Sequence, residues 1–294
     1  MEELFTKFIA NIHETRQTSS NTEVSYLRDL RQMQSFLAQA GIKEASKVTP
    51  NVLSDYVEKL NSIGKKPSTV SRSIASMKAF FGYLADEGII SENPTLKLKT
   101  PKIEKKDPHI LSAEDTVRLI ESANGKSPKG LRDRAMLELM YATGVRVSEL
   151  ISLKTGDINL QMEFLSARTG KKERVIPFGE AARDAVLKYL SDGREALLDG
   201  KSSDYLFVNC SGDEMSRQGF WKLIKSYGKK AGIKEEITPH TLRHSFAAHL
   251  VSGGAEVKAI QEMLGHSDIS TTQVYLKMNR NNVRDAYKKA HPRG

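Results

Sequence analysis

The sequence predicts a mainly α protein of two domains: an N-terminal four-helix module, then a larger α-rich domain carrying a small antiparallel sheet. Three observations predict it. Apolar residues recur at helical spacing along most of the chain. A proline- and lysine-rich stretch interrupts them near residues 94–111, and strand-like alternation is confined largely to 157–177. At 294 residues the chain is long enough for two cores of ordinary size.

Taken in order, Leu4, Phe5, Phe8, Ile9 and Ile12 form the apolar stripe of a first helix. Ser20 and Glu23 make a capping-box pattern ahead of Val24, Leu27, Leu30 and Leu37, and Gly41 stops that helix. Thr49-Pro50 reads as an N-cap with proline at the first helical position, followed by Leu53, Tyr56, Val57 and Leu60. Ser68 is the expected cap of a fourth helix with Val70, Ile74, Met77, Phe81 and Leu84 on its buried face, ending at Gly88. These bounds give a domain over 1–95 and a basic linker over 96–111, where Pro101 and Pro108 accompany Lys97, Lys99, Lys102, Lys105 and Lys106. The second domain, 112–294, opens on a helix capped by Ser112 with Asp115. Asp157–Leu160, Glu163–Ser166 and Arg174–Pro177 are its expected strands, and Tyr205–Val208 a further extended segment.

Composition narrows the function classes. No window approaches the roughly eighteen uninterrupted apolar residues of a membrane span. Glu2 and Glu3 stand where a signal peptide carries its positive end, and the single cysteine, Cys210, offers no disulfide partner. The expectation is a soluble, reduced, cytoplasmic protein. Its net charge of +9, from 45 basic and 36 acidic residues, favours a polyanionic partner such as nucleic acid, and both halves of the chain are basic.

Histidines invite a metal reading. His240 and His244 have the spacing of a zinc helix, but Thr241 occupies the position where hydrolytic zinc chemistry needs a glutamate. Neither P-loop nor dinucleotide fingerprints occur, so no metal and no cofactor is expected. What remains is a cationic set: Arg146 just past the helix stop Thr143-Gly144, Lys171 and Lys172 in a turn between strands, His240 and Arg243 one helical turn apart, then His266 and Tyr275. Arginine forks match phosphate oxygens, and donors of this kind help most where a phosphodiester gains charge in its transition state. A phenol can attack phosphorus and a lysine can protonate the departing sugar oxygen.

The ordered segments ATGVRVSEL, TGKKERVIPFG, PHTLRHSFAAHL and LGHSDISTTQVY resemble the tyrosine recombinase family, most closely its bacterial Xer chromosome-dimer resolvases. SSNTEVSYLRDL and STVSRSIASMKAFFGYLADEGIISENP are similar to the family's N-terminal helical DNA-binding module, and the ending HPRG to the usual Xer terminus, so the resemblance spans nearly the whole chain. It implies that Tyr275 is the nucleophile, forming a 3′-phosphotyrosyl link and releasing a 5′ hydroxyl on the way to a Holliday junction. It implies further that Arg146 and Arg243 clamp the non-bridging oxygens, Lys172 (or Lys171) is the general acid, His240 shares the tyrosine proton, His266 donates to the phosphate, and Glu149 orients Arg146.

The implied partner is double-stranded DNA at a dif-like site. Arg217 and Gln218 are candidates for base edges, and Lys65, Lys66, Arg72 and Lys78 for phosphates. Trp221, with Leu223 and Ile224, is expected in the core, as are His244 and His249. Val283, Ala286, Tyr287 and Ala290 recur at the spacing of a C-terminal helix, which could pack on its own domain; the resemblance implies instead that it docks on the next protomer of a homo- or hetero-tetramer, with a septal DNA translocase as a further implied partner. Leu276-Lys277-Met278 departs from the threonine and histidine that often follow the Xer tyrosine. An integrase of a phage or conjugative element would use the same chemistry; a non-catalytic helical DNA-binding regulator would explain the charge but not the six reactive residues.

Overall fold

A computed structural model describes residues 1–103, 107–170 and 172–265. The chain divides into two units, Met1–Lys106 and Asp107–Gly294.

In the first unit, α1 (Glu2–Arg16), α2 (Ser20–Gln39), α3 (Pro50–Ser62) and α4 (Pro67–Asp86) bury one face each. Phe80 of α4 lies edge-on to Phe5 and Phe8 of α1, with ring centroids 5.0 and 5.5 Å apart, the geometry in which one ring's positive edge meets another's negative face. Val70, Ile74, Met77, Phe81 and Leu84 are fully buried as expected, and Thr49 caps α3 by accepting from the Val52 amide. Three local expectations need correction. Ser19, not Ser20, caps α2, and the Glu23 carboxylate instead accepts from Thr18 Oγ1 at 2.8 Å and pairs with His13 at 2.9 Å. Val24 is 53 % exposed, because six residues before Leu30 a helix has turned about 120° off the buried stripe. Pro67, whose ring fixes a helical φ, starts α4 one residue before Ser68, so Ser68 lies inside the helix.

The second unit is built on α6 (Pro128–Thr143), which buries residues on all sides, Ala135, Met136, Leu137, Leu139 and Met140 among them. Around it pack α5 (Ala113–Glu121), α8 (Glu180–Tyr189), α9 (Glu195–Leu198) and α11 (Pro239–Ser252). Ser112 caps α5 as expected, accepting from the Asp115 amide at 3.0 Å. Strands β1 (Ile158–Asn159), β2 (Phe164–Thr169) and β3 (Lys172–Pro177) form one antiparallel sheet in sequence order, with Leu165 opposite Ile176, Ala167 opposite Arg174 and Thr169 opposite Lys172. The short α7 (Val147–Ser152) packs on β2, and α12 (Val257–Leu264) packs on β3 and on α11. The segment 205–208 makes only isolated bridges, Lys154 with Tyr205 and Val208 with Glu214.

α10 (Arg217–Lys230) corrects a further expectation. Its buried face is Phe220, Leu223, Ile224 and Gly228, whereas Trp221 is 36 % exposed. Trp221 falls in line with Arg217 and Lys225 at four-residue spacing, on the solvent side of the helix.

Candidate active site

Gly144 ends α6 at φ +59°, a left-handed conformation suited to glycine, and an added Cβ would stand 2.3 Å from Phe246 Cδ1. The chain can therefore turn tightly into Arg146, the N-cap residue of α7. Glu149, in the first turn of α7, reaches back so that the Arg146 amide donates to its Oε2 at 2.8 Å, and Arg146 Nη1 donates to Oε1 at 3.0 Å. The same carboxylate accepts a two-pronged pair from Arg174, Nη1 to Oε1 and Nη2 to Oε2, both at 2.8 Å, and the Thr169 hydroxyl donates to it as well. Glu149 is buried. Burial alone would raise its pKa, but hydrogen bonds from Arg174, Thr169 and the Arg146 amide hold it down at about 2.

α11 begins in the same neighbourhood. Thr238 caps it, accepting from the Thr241 amide at 3.1 Å, and Pro239 takes the first helical position. Arg243, buried, donates through Nη1 to the Gly144 carbonyl and through Nη2 to the Leu264 carbonyl at 2.6 Å. Arg146 Nη2 donates to the next carbonyl, Gly265, at 3.2 Å, and Arg174 Nε to the preceding one, Met263, at 2.7 Å. Three consecutive carbonyls at the end of α12 thus each accept from a different arginine, delivered by β3, α11 and the start of α7. A helix C-terminus carries partial negative charge, so cations collect there favourably.

His240 is exposed, on the same α11 turn as Arg243. Its pKa is lowered below the ordinary histidine range, first by partial desolvation and then by the charges of Arg243 and Arg146. Both effects favour the neutral ring, the form able to take a proton. His244 stacks at a tilt 6.2 Å from His240, and burial, then His240 and Arg243, depress its pKa to about 4. His249 lies away from this cluster: Tyr141 Oη lies 2.8 Å from its Nδ1 and the Leu111 carbonyl 3.0 Å from its Nε2. Because a carbonyl only accepts, Nε2 carries the proton and Tyr141 donates to Nδ1.

Lys172 starts β3, exposed, opposite Thr169 and two residues from Arg174 on the same strand face. The structure therefore brings together Arg146, Glu149, Arg243 and His240, with Lys172 at the rim of the hairpin. His266, Tyr275 and Lys171 lie outside the described residues, as does the expected C-terminal docking helix. Arg174 and Thr169 are the members that sequence reasoning missed. The alternation of β3 puts Arg174 on the same face as Lys172 but says nothing of its distant partners, and Thr169, at the end of β2, carried no signal.

Of the candidate DNA contacts, Lys65, Lys66, Lys78, Arg217 and Gln218 are exposed. Arg72 is spent within its own domain, donating Nε and Nη2 to the two oxygens of buried Asp29 at 2.8 and 2.9 Å, so its charge is already matched. Arg217, Gln218, Trp221, Lys222 and Lys225 line one shallow open groove along the outer face of α10. Among the described residues, no three histidine, cysteine or carboxylate side chains gather as metal ligands, and no helix is long and apolar enough to cross a membrane.

Residues 109–282 match the phage integrase family, and residues 5–88 match the phage integrase N-terminal SAM-like domain. Tyrosine recombinase XerD of Halalkalibacterium halodurans is 44% identical over 280 residues, covering 95% of this chain and 94% of that protein. Tyrosine recombinase XerD of Listeria monocytogenes is 41% identical over 296 residues, the full length of both. Among solved structures, XerH bound to palindromic difH substrate in a post-cleavage complex superposes with a TM-score of 0.76 at 20% identity, covering 92% of this chain and 80% of that one. A lambda integrase dimer bound to a COC′ core site gives a TM-score of 0.73 at 18% identity, covering 94% of each chain.

Proposed function

Because the chain belongs to the phage integrase family and is a tyrosine site-specific recombinase, we propose that it breaks and rejoins DNA strands through a 3′-phosphotyrosyl link to Tyr275 and a Holliday junction, in Xer-type resolution of chromosome or plasmid dimers at a dif-like site. The convergence of Arg146 and Arg243 on adjacent carbonyls carries this reading. Two guanidiniums from distant segments are already aimed at one point, as a phosphate clamp requires. When a scissile phosphate enters, its non-bridging oxygens take over donors now given to the Gly265, Leu264 and Gly144 carbonyls.

Neutral His240 accepts the phenolic proton as the Tyr275 oxygen attacks phosphorus. The P–O5′ bond breaks, and Lys172 gives the leaving oxygen its proton. His266 adds a donor to the phosphate as charge builds on it. Reversal with the exchanged 5′ hydroxyl as nucleophile reseals the strand. The exposed residues Arg217 and Gln218 read base edges, while Lys65, Lys66 and Lys78 hold phosphates. Protomers assemble as a tetramer on two duplexes through the C-terminal helix and work in the cytoplasm. Near-full-length similarity to XerD proteins favours dimer resolution over a mobile-element integrase.

The test is a nicked duplex carrying the host's candidate dimer-resolution site, which traps the covalent intermediate once the short 5′ fragment diffuses away. Wild-type protein gives an SDS-resistant adduct. Tyr275→Phe gives none yet shifts the same DNA. An undiminished adduct in that variant removes Tyr275 from the chemistry.

A further inference from the structure

Arg174 has no role in the mechanism above, yet it is among the most constrained side chains near the site. Its side chain is only 15 % exposed, and three of its five N–H donors are fixed: two on Glu149, one on the Met263 carbonyl. The flank is equally tight. Gly265 sits at φ +60°, and a Cβ there would lie 3.2 Å from the Arg174 Cδ, Cζ and Nε atoms, so the guanidinium runs flush against a bare backbone. Arg174 is therefore linked to both halves of the clamp through partners it shares with them. Through Glu149 it shares an anion with Arg146; through Met263 and Gly265 it grips the end of α12, where Arg243 and Arg146 are also bonded. It also pins β3 to α7 and α12 two residues from Lys172.

We infer that Arg174 is a positioning residue for strand cleavage, locking the Arg146 guanidinium, the end of α12 and the Lys172 strand into one register beneath the scissile phosphate. The inference rests on the reading that Arg146 grips that phosphate. A lysine cannot substitute, because one ammonium cannot present a planar fork to two carboxylate oxygens and a third donor to a carbonyl. Losing the fork leaves Glu149 with Thr169, the Arg146 amide and one guanidinium prong. Arg146 then has freedom to swing, and displacements of about 1 Å at a reacting centre cost on the order of 10²-fold in rate.

The experiment measures, for wild type, Arg174→Met and Arg174→Lys, the rate of adduct formation on the nicked duplex and the Kd for the same DNA, across pH. We expect Arg174→Met to form the adduct about 10²-fold more slowly, with Kd within about 2-fold of wild type. The acid limb of its rate profile moves to higher pH, since Glu149 has lost the cation that most opposes its protonation while burial still raises its pKa. A purely structural defect would reduce active protein without moving that limb. Arg174→Lys is expected to remain at least about 10-fold slow; if Arg174→Met fails to fold, this variant decides. A wild-type rate in either variant overturns the inference, as does a loss in DNA affinity as large as the loss in rate, which would make Arg174 a DNA contact. Absence of adduct from wild-type protein would instead overturn the recombinase mechanism beneath it, and the inference with it.

Discussion

Replacing Glu149 by glutamine keeps the side chain's size and removes the carboxylate that pairs with Arg146 and Arg174. The carboxyl is held at about 2 against an ordinary 4.5, a difference of roughly 2.5, which corresponds to about 3 kcal/mol in favour of the ionised folded state. Because the side chain is only 3 % exposed, solvent screening takes little from this figure. Cutting one partner from a buried pair, at about 3–5 kcal/mol, gives the same scale. The chain's single tryptophan, Trp221, lies in the second unit, so its fluorescence during urea unfolding reports on the unit that holds Glu149. With an m-value near 2 kcal/mol/M, the midpoint of Glu149→Gln should fall by about 1.5 M. The sign with pH follows from a folded pKa below the unfolded one. The stabilisation is complete above about 4.5 and is lost as pH falls toward about 2, so the gap between wild type and variant holds from pH 7 to 5 and then closes. A gap below about 1 kcal/mol at pH 7, or one that persists unchanged to pH 3, refutes the reasoning.

Two further outcomes can be read with the same fluorescence. Gly144→Ala meets both a left-handed φ and the Phe246 ring, and should cost about 3 kcal/mol; Gly232→Ala, at φ +70° with nothing within 4 Å, should cost only the backbone term of about 1 kcal/mol. Equal losses in the two would remove the packing argument. His244, whose folded pKa of about 4 lies below its ordinary 6.5, destabilises the fold as pH drops from 6.5 toward 4, since the unfolded chain takes up the proton first. His244→Gln should flatten stability across that window, and a wild-type slope in the variant would refute the assignment.

Local features were the most legible in the sequence. Thr49 and Ser112 each cap a helix through an amide three residues on, so sequence suffices to place them. The α4 stripe was readable because five apolar residues agree on one face. Trp221 misled for the opposite reason: adjacency to Leu223 and Ile224 suggested burial, but helical rotation puts it with Arg217 and Lys225. At the site, Arg146, Glu149 and Arg243 were found through ordered motifs, and the fold brings them to one carboxylate and one helix end. Arg174 escaped because its partners stand 25 and 89 positions away, a separation no local pattern encodes. Arg72 looked available until Asp29, 43 positions away, took its charge.

Three guanidiniums meet at the end of α12, two of them on the Glu149 carboxylate, and this has an electrical consequence. Among the described residues, these three cations less one anion leave a surplus of two elementary charges at the end of α12. In the proposed reaction a phosphodiester would bring one negative charge, and the five-coordinate species formed from it two. On the proposed mechanism, donors fixed at the end of α12 would therefore hold the more highly charged transition state more strongly than the bound duplex.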